Sequence, residues 1–246
     1  MTSPVVVLAA PAKLTLTLRI TGVRDDGYHL IDAEMVTLDL ADVVTIDPSG
    51  TGIIMTGPFA TGIPDDETNI VARALRLADR TAAVTIDKRI PHGGGLGGGS
   101  ADAAAVLRWA GVSDLVLASR IGADVSFCLV GGRARVTGIG EVVDPSPARP
   151  GQLITLVVPP LSCSTPAVYR AWDALGGPTE PGRNDLLAAA IAAEPRLAAW
   201  RDRIAEAAGT TPHLAGSGAT WFLDGHHPEL HAALPDATVV LTTTIA

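Results

Sequence analysis

Cysteine, aromatic rings and positive charge are all scarce in this chain. Its 246 residues include two cysteines, Cys128 and Cys163. Two thiols cannot build a disulfide framework, and neither sits at a metal-ligand spacing, so both are expected as reduced, structural residues. Phe, Tyr and Trp together make up 4% of the chain, which leaves Ala, Val, Leu and Ile to fill the core. Eighteen Lys and Arg stand against 26 Asp and Glu, a net charge of −8. That balance argues against nucleic acid as a main partner, which needs a basic face. It does not argue against a phosphorylated small molecule, which local dipoles and a few cations can hold. No apolar run approaches the ~18 residues of a membrane helix. The opening MTSPVVVLAAPAKL has no basic segment ahead of its short apolar run, so no signal peptide is read there. A soluble, cytoplasmic protein is expected, long enough for one large domain or two modest ones.

What is present is strongly patterned. From Lys13 to Ile20 the chain reads KLTLTLRI, with Leu14, Leu16, Leu18 and Ile20 alternating with Lys13, Thr15, Thr17 and Arg19. This predicts a half-buried strand with one polar face, so Lys13 and Thr15 point the same way, off the core. RDDGYH (Arg24 to His29) is a turn cluster. Val36, Leu38 and Leu40 predict another strand, and Val43 to Ile46 a further one. DDETNIVARALRLADR predicts a helix with Val71, Ala74, Leu75 and Ala78 on one face and acidic residues ahead of it. A short strand is expected over Ala82 to Asp87, a helix over SADAAAVLRWA and a turn at Gly122–Asp124. DPSPARPG (Asp144 to Gly151), with three prolines in eight residues, is the best boundary candidate. Beyond it come a β-prone QLITLVVPP and a helix around TPAVYRAWDAL. An Ala-rich helical region follows from Leu186 to Ala208, interrupted near Pro195, then a glycine turn AGSGAT and a strand ATVVLTTTI. There is no internal repeat. The mixture is α+β, arranged as two lobes.

The densest feature is PHGGGLGGGSADAAA, in which six of the seven residues from Gly93 to Gly99 are glycine. A linker would be followed by polar, low-propensity sequence. This stretch is flanked by a strand and a helix, with Ser100 as the expected N-cap and Leu96 as an anchor. A helix start offers free N–H groups and partial positive charge, and glycine lets a phosphate come close. A phosphate site and a purely structural tight turn both remain open from the residues alone. The stretch is not a Walker A loop, and a lone G-x-G-x-x-G match inside a run of glycines is weak.

PHGGGLGGGSADAA resembles the phosphate loop of the GHMP kinases, the family of galactokinase, homoserine kinase, mevalonate kinase and phosphomevalonate kinase. APAKLTLTLRITGVRDDGYHLID, TNIVARAL, GADVSFCLVGGRARVTGIGE, and RNDL with AGSGAT resemble one branch of that family in the same order. That branch phosphorylates a cytidine diphosphate-linked methylerythritol on its 2-hydroxyl in the non-mevalonate isoprenoid pathway. The resemblance spans essentially the whole chain.

The resemblance implies an N-terminal lobe like ribosomal protein S5 domain 2, binding ATP over residues 1–147. It implies a ferredoxin-like, substrate-binding lobe over residues 148–246. Asp124 is implied as catalytic base on the acceptor hydroxyl, with Lys13 beside it; an adjacent cation keeps a carboxylate ionised and stabilises developing negative charge. Pro91, Gly93, Gly94, Gly95, Leu96, Gly97, Gly98, Gly99 and Ser100 are implied to hold the ATP phosphates, and Asn69, Ile70 and Lys88 to line the adenine pocket. Tyr28 and His29 are implied to hold cytosine, with Tyr169 as a second aromatic. Thr15, Gly216, Ser217 and Gly218 are implied on the substrate side. Mg2+ is expected with ATP, no protein carboxylate cage for it can be named, and Ser100 is the nearest group that could contribute. A monomer or weak homodimer is expected.

Three positions and one segment depart from the family pattern. Thr15 stands where asparagine is usual, Ala101 replaces the second serine of the loop, Ser126 stands where proline is usual, and the segment between Ala105 and Gly122 is shortened. Thr15 leaves room for a GHMP kinase with another acceptor. Loss of catalysis would leave a nucleotide-binding relative. The intact Lys13, Asp124, Tyr28 and His29 favour an active kinase for the cytidyl substrate.

Overall fold

The computed structural model describes residues 4–179 and 181–246. Its spine is a long antiparallel hairpin of β1 (Val6–Val23) and β2 (His29–Asp47). The expected turn closes it, with Arg24 N donating to Tyr28 O at 2.8 Å. The two strands expected within residues 36–46 are one. The gap between them, Ala41–Asp42, is paired with Pro11 and Ala10 of β1, and the carboxylates of Asp39 and Asp42 both have partners. Asp39 accepts from Thr242 and Thr243, and Asp42 is paired with Lys88. Strand pairing therefore continues through them.

β3 (Gly52–Thr56) runs parallel to β4 (Ala83–Asp87), and β4 pairs antiparallel with the end of β2. Between them lies α1 (Ile70–Leu77), shorter than its periodicity predicts. It starts late because Asn69 caps it, its Oδ1 accepting from Val71 N at 2.8 Å. After β4 come α2 (Gly98–Trp109), α3 (Leu115–Ser119), α4 (Ala123–Val130), β5 (Arg133–Gly138) and β6 (Val142–Pro145). The turn expected at Gly122–Asp124 is instead the first turn of α4. Ser126, on that helix, donates to Leu115 O at 2.8 Å and ties α4 to α3.

Past the proline-rich segment lie β7 (Leu153–Val158), α5 (Thr165–Ala174), α6 (Leu187–Ala193) and α7 (Arg196–Ala208). The last two are parted at Pro195 as its ring requires. β8 (His213–Leu214), β9 (Trp221–Asp224), α8 (Leu230–Ala233) and β10 (Thr238–Ile245) complete the chain. The sheet runs β3-β4-β2-β10-β7-β9-β8, with β1 and β5 also on β2 and β6 on β5. β10 is the joint: it pairs with β7 along its length and meets Thr37 and Leu38 of β2 at its end.

One apolar cluster lies beneath β1 to β6 and α1 to α4, built from residues such as Val44, Ile86, Val106 and Phe127. A second packs α5 to α8 on the C-terminal strands around Trp200 and Trp221. A third, with Leu14, Leu38, Leu156 and Phe222, lies where the two meet and includes Leu96 of the glycine stretch. Each fully buried side chain of this kind contributes ~1.5–3 kcal/mol, so the glycine loop is pinned at Leu96, 1% exposed, as the sequence led us to expect. Among the described residues no helix is long and apolar enough to cross a membrane.

Candidate active site

The polar face of β1 turns inward. Lys13 and Thr15 share a side, as alternation predicts, yet they are 4% and 2% exposed rather than solvated. Two segments cover them. Lys13 N donates to Leu96 O at 3.0 Å, which lays the glycine loop along β1. Five residues on, Leu18 N donates to Arg183 O at 2.8 Å and Leu18 O accepts from Asp185 N at 3.0 Å. Asn184, between them, donates to Leu214 O at 3.0 Å and Gly216 O at 2.7 Å, which holds the second glycine turn over the strand.

Lys13 Nζ lies 3.2 Å from Asp124 Oδ2 and donates to Thr15 Oγ1 at 3.1 Å. A buried ammonium needs such partners. The threonine that replaces the usual asparagine thus supports the lysine directly. Asp124 is the second residue of α4 and its side chain is 32% exposed, open to a ligand.

The glycine loop leads into α2. The N-cap is Gly97, at φ 70°, and not Ser100, which is the third residue of the helix. Glycine reaches this left-handed conformation at little cost, so α2 starts earlier than a serine cap would allow. The loop is also pressed from outside: a Cβ on Gly95, at φ 77°, would lie 3.1 Å from Gly218 O and 3.2 Å from Ala215 O. The two glycine turns therefore touch. Ser100 Oγ lies close to Gly122, 3.7 Å from where a Cβ there would stand.

Two cavities meet at this point. One of about 400 Å³ is lined by Asn69, Ile70, Lys88, Pro91, Gly93 to Ser100 and Asp124. The other, of about 930 Å³, is lined by Lys13, Thr15, Tyr28, His29, Asp124, Tyr169, Gly216 and Ser217. Gly95 and Asp124 border both. Gly218 lies just outside the larger one, beside Cys163. Ser217 Oγ and Thr165 Oγ1 share a hydrogen bond at 2.8 Å.

Within the larger cavity His29 Nε2 is 2.7 Å from Asp173 Oδ1. Its ring is 4.8 Å from Tyr169 and 5.4 Å from Trp172, centroid to centroid. Tyr28 is 59% exposed at the rim. Burial pushes the Tyr169 hydroxyl up to about 12, with the Asp124 charge adding to it.

Two residues of the smaller cavity have their polar groups already engaged. Asn69 caps α1 and its Nδ2 donates to Pro64 O at 2.5 Å. Lys88 is 2% exposed, with Nζ bonded to Asp42 and, at 2.5 Å, to Asp102 Oδ2. Asp42 also accepts from Arg89 N at 2.6 Å and Ile90 N at 2.8 Å, fixing the chain as it enters the loop. Burial pushes the Asp102 carboxyl up to about 7 against the pull of Lys88, and its Oδ1 has no partner among the described residues.

Asn184, Asp42, Asp102 and Asp173 were not assigned roles from the sequence. RNDL stood out as a motif, but its asparagine acts on backbone 30 and 32 residues away. Asp42 pairs across 46 residues and Asp173 across 144. No local pattern signals such contacts.

The GHMP kinases N terminal domain matches residues 69–132. A 4-diphosphocytidyl-2-C-methyl-D-erythritol kinase of Paracoccus denitrificans (strain Pd 1222) is 44% identical over 232 residues, covering 87% of this chain and 85% of that protein. One of Ruegeria pomeroyi (strain ATCC 700808 / DSM 15171 / DSS-3) is 39% identical over 248 residues, 88% of this chain and 89% of its own. A crystal structure of 4-(cytidine 5'-diphospho)-2C-methyl-D-erythritol kinase is similar over 98% of this chain and 100% of its own, with TM-score 0.78 and 31% identity. The Methanococcus jannaschii mevalonate kinase shares the fold alone, at TM-score 0.65 and 12% identity over 99% of both chains.

Proposed function

The chain belongs to the 4-diphosphocytidyl-2-C-methyl-D-erythritol kinases of the GHMP group, and from that premise we propose that it transfers the γ-phosphoryl group of ATP to the 2-hydroxyl of 4-diphosphocytidyl-2-C-methyl-D-erythritol. The observation that carries this reading is the meeting of the two cavities at Asp124, with Lys13 Nζ 3.2 Å away. A donor in the smaller cavity and an acceptor in the larger one come together at that carboxylate.

ATP lies with its phosphates along Gly93 to Ser100. The free N–H groups at the start of α2 and the helix dipole hold negative charge there. The acceptor lies in the larger cavity, its base against Tyr28, His29 and Tyr169. Asp124 takes the proton of the 2-hydroxyl as that oxygen bonds to the γ-phosphorus and the bond to the β–γ bridging oxygen breaks, releasing ADP. Lys13 orients Asp124 and offers positive charge to the transferring group. Gly216 and Ser217 close the acceptor side, and Asn184 holds them in place. Among the described residues no group of three or more His, Cys, Asp or Glu is arranged to hold a metal. Mg2+ would be carried by the ATP phosphates, neutralising their charge, with the Ser100 hydroxyl as the protein oxygen offered to it.

Residues 1–147 are taken as the ATP-binding half and 148–246 as the substrate-binding half. A monomer or weak homodimer is proposed, and the use of ATP suits the cytoplasm. The test is ADP release coupled to a reporter, with the cytidyl substrate and pure, folded protein. Turnover by the wild type and its loss in Asp124→Asn is expected; no turnover by the wild type sinks the reading.

A further inference from the structure

His29 opens β2, but what fixes its ring comes from α5, 144 residues on. Asp173 Oδ1 lies 2.7 Å from Nε2. Tyr169 packs on the ring at 39° and Trp172 meets it edge-on at 85°. The His29 side chain is 8% exposed and that of Asp173 50%. An ionised carboxylate accepts hydrogen bonds and cannot donate them, so the proton at this contact is on Nε2. In a neutral imidazole the other nitrogen is then an acceptor. Nδ1 has no hydrogen-bond partner among the described residues, and His29 lines the larger cavity.

We propose that Asp173 is a positioning residue for base selection: by keeping the proton on Nε2 of His29 it leaves Nδ1 as an acceptor for an exocyclic amino group. Cytosine carries such a group where uracil carries a carbonyl oxygen. Two acceptors facing each other leave both unpaired in a desolvated pocket, which costs far more than a missing contact. Contacts with Tyr169 and Trp172 hold the plane of the ring, and Asp173 sets which nitrogen bears hydrogen. This is the carboxylate–imidazole arrangement by which second partners fix histidine ligands elsewhere. It rests on the cytidyl reading of the larger cavity.

CDP and UDP are the probes, titrated calorimetrically against wild type, Asp173→Ala and Asp173→Asn. The ratio of the two affinities cancels any general effect of removing a negative charge near a diphosphate. Wild type is expected to favour CDP by about tenfold or more. Asp173→Ala is expected to bring the ratio near one. Asp173→Asn, whose amide oxygen still accepts from Nε2, is expected to stay within about threefold of wild type. Nitrogen-15 spectra of the histidine rings give a readout that needs no nucleotide. His29 should carry hydrogen on Nε2 in wild type and become a mixture of tautomers in Asp173→Ala. A wild-type ratio kept by Asp173→Ala, or hydrogen on Nδ1 in wild type, overturns this inference alone. A wild type indifferent to cytosine and uracil overturns it together with the cytidyl reading.

Discussion

Gly97 lies directly against the stem of Lys13: a methyl group on its Cα would stand 2.7 Å from Cγ and 3.2 Å from Cε of the lysine. At φ 70° it is also held where side chains are strained. Gly97→Ala therefore meets two obstacles, a left-handed backbone and an occupied space. We expect a loss of ~1–3 kcal/mol in stability and a larger loss in activity, because the displaced groups are the phosphate loop and the lysine. Urea denaturation and steady-state kinetics on the same preparation check both. Wild-type kinetics would show that loop and lysine tolerate the shift.

Asp124→Asn keeps the shape of the side chain and removes its capacity as a base. The expected fall in kcat is ~10²–10⁴-fold, with ATP affinity nearly unchanged, measured by initial rates and by nucleotide titration. Lys13→Met leaves Asp124 without its cation and Thr15 without its donor, and it should lower kcat while the protein still folds. A fall confined to KM in either variant would move the chemistry elsewhere.

Lys88→Met strands Asp42 and Asp102 in the interior. Breaking a buried ion pair from one side costs ~3–5 kcal/mol. The double variant Lys88→Met with Asp102→Asn should recover part of that loss, since Asp42 keeps its bonds to Arg89 N and Ile90 N. Chemical denaturation of the three proteins above about pH 7, where Asp102 is ionised in the wild type, gives the comparison, and no recovery would argue that Asp102 takes up a proton once Lys88 is lost.

Asp102 also predicts a pH dependence. Its folded value of about 7 lies above its ordinary 3.8, because burial disfavours the charged form. Between those values the folded protein holds a proton that the unfolded chain has released. Its contribution to stability therefore falls as the pH rises through that window and levels off above about 7. Urea midpoints measured across this range should decline less steeply in Asp102→Asn than in wild type. Parallel lines would place the proton on another group.

Asn184→Ala removes two donors and the acceptor for Leu186 N at 2.9 Å. Leaving buried carbonyls unpaired costs ~1–3 kcal/mol. The second glycine turn loses its tie to β1, so KM for the cytidyl substrate should rise more than KM for ATP. Equal changes in the two would show a merely global loosening.

The sequence made legible what repeats locally. Alternation along KLTLTLRI put Lys13 and Thr15 on one side, and the glycine stretch lies between a strand and a helix as its flanks predict. It misread features that depend on distant partners. Ser100 looks like a cap because serine usually is one, yet Gly97 takes the position by adopting a backbone few residues reach. Asp42 falls between the two strands expected over 36–40 and 43–46 because its partner, Lys88, lies elsewhere in the chain. Lys88 reads as a cavity-lining or solvated lysine when its neighbours are unknown; two buried carboxylates draw it inward.

The backbone bonds of β1 also bear on the order in which the protein is made. A nascent chain that has emerged through α4 already contains Lys13, the glycine loop and Asp124. It lacks the 183–185 segment that Leu18 grips, the turn that presses on Gly95, and the strand that meets β2 at Thr37 and Leu38. Its first strand would wait with an open edge for partners more than 160 residues downstream. Catalytic competence is thus expected to arrive late and all at once during translation, and a growing chain should hold no half-built kinase that consumes ATP.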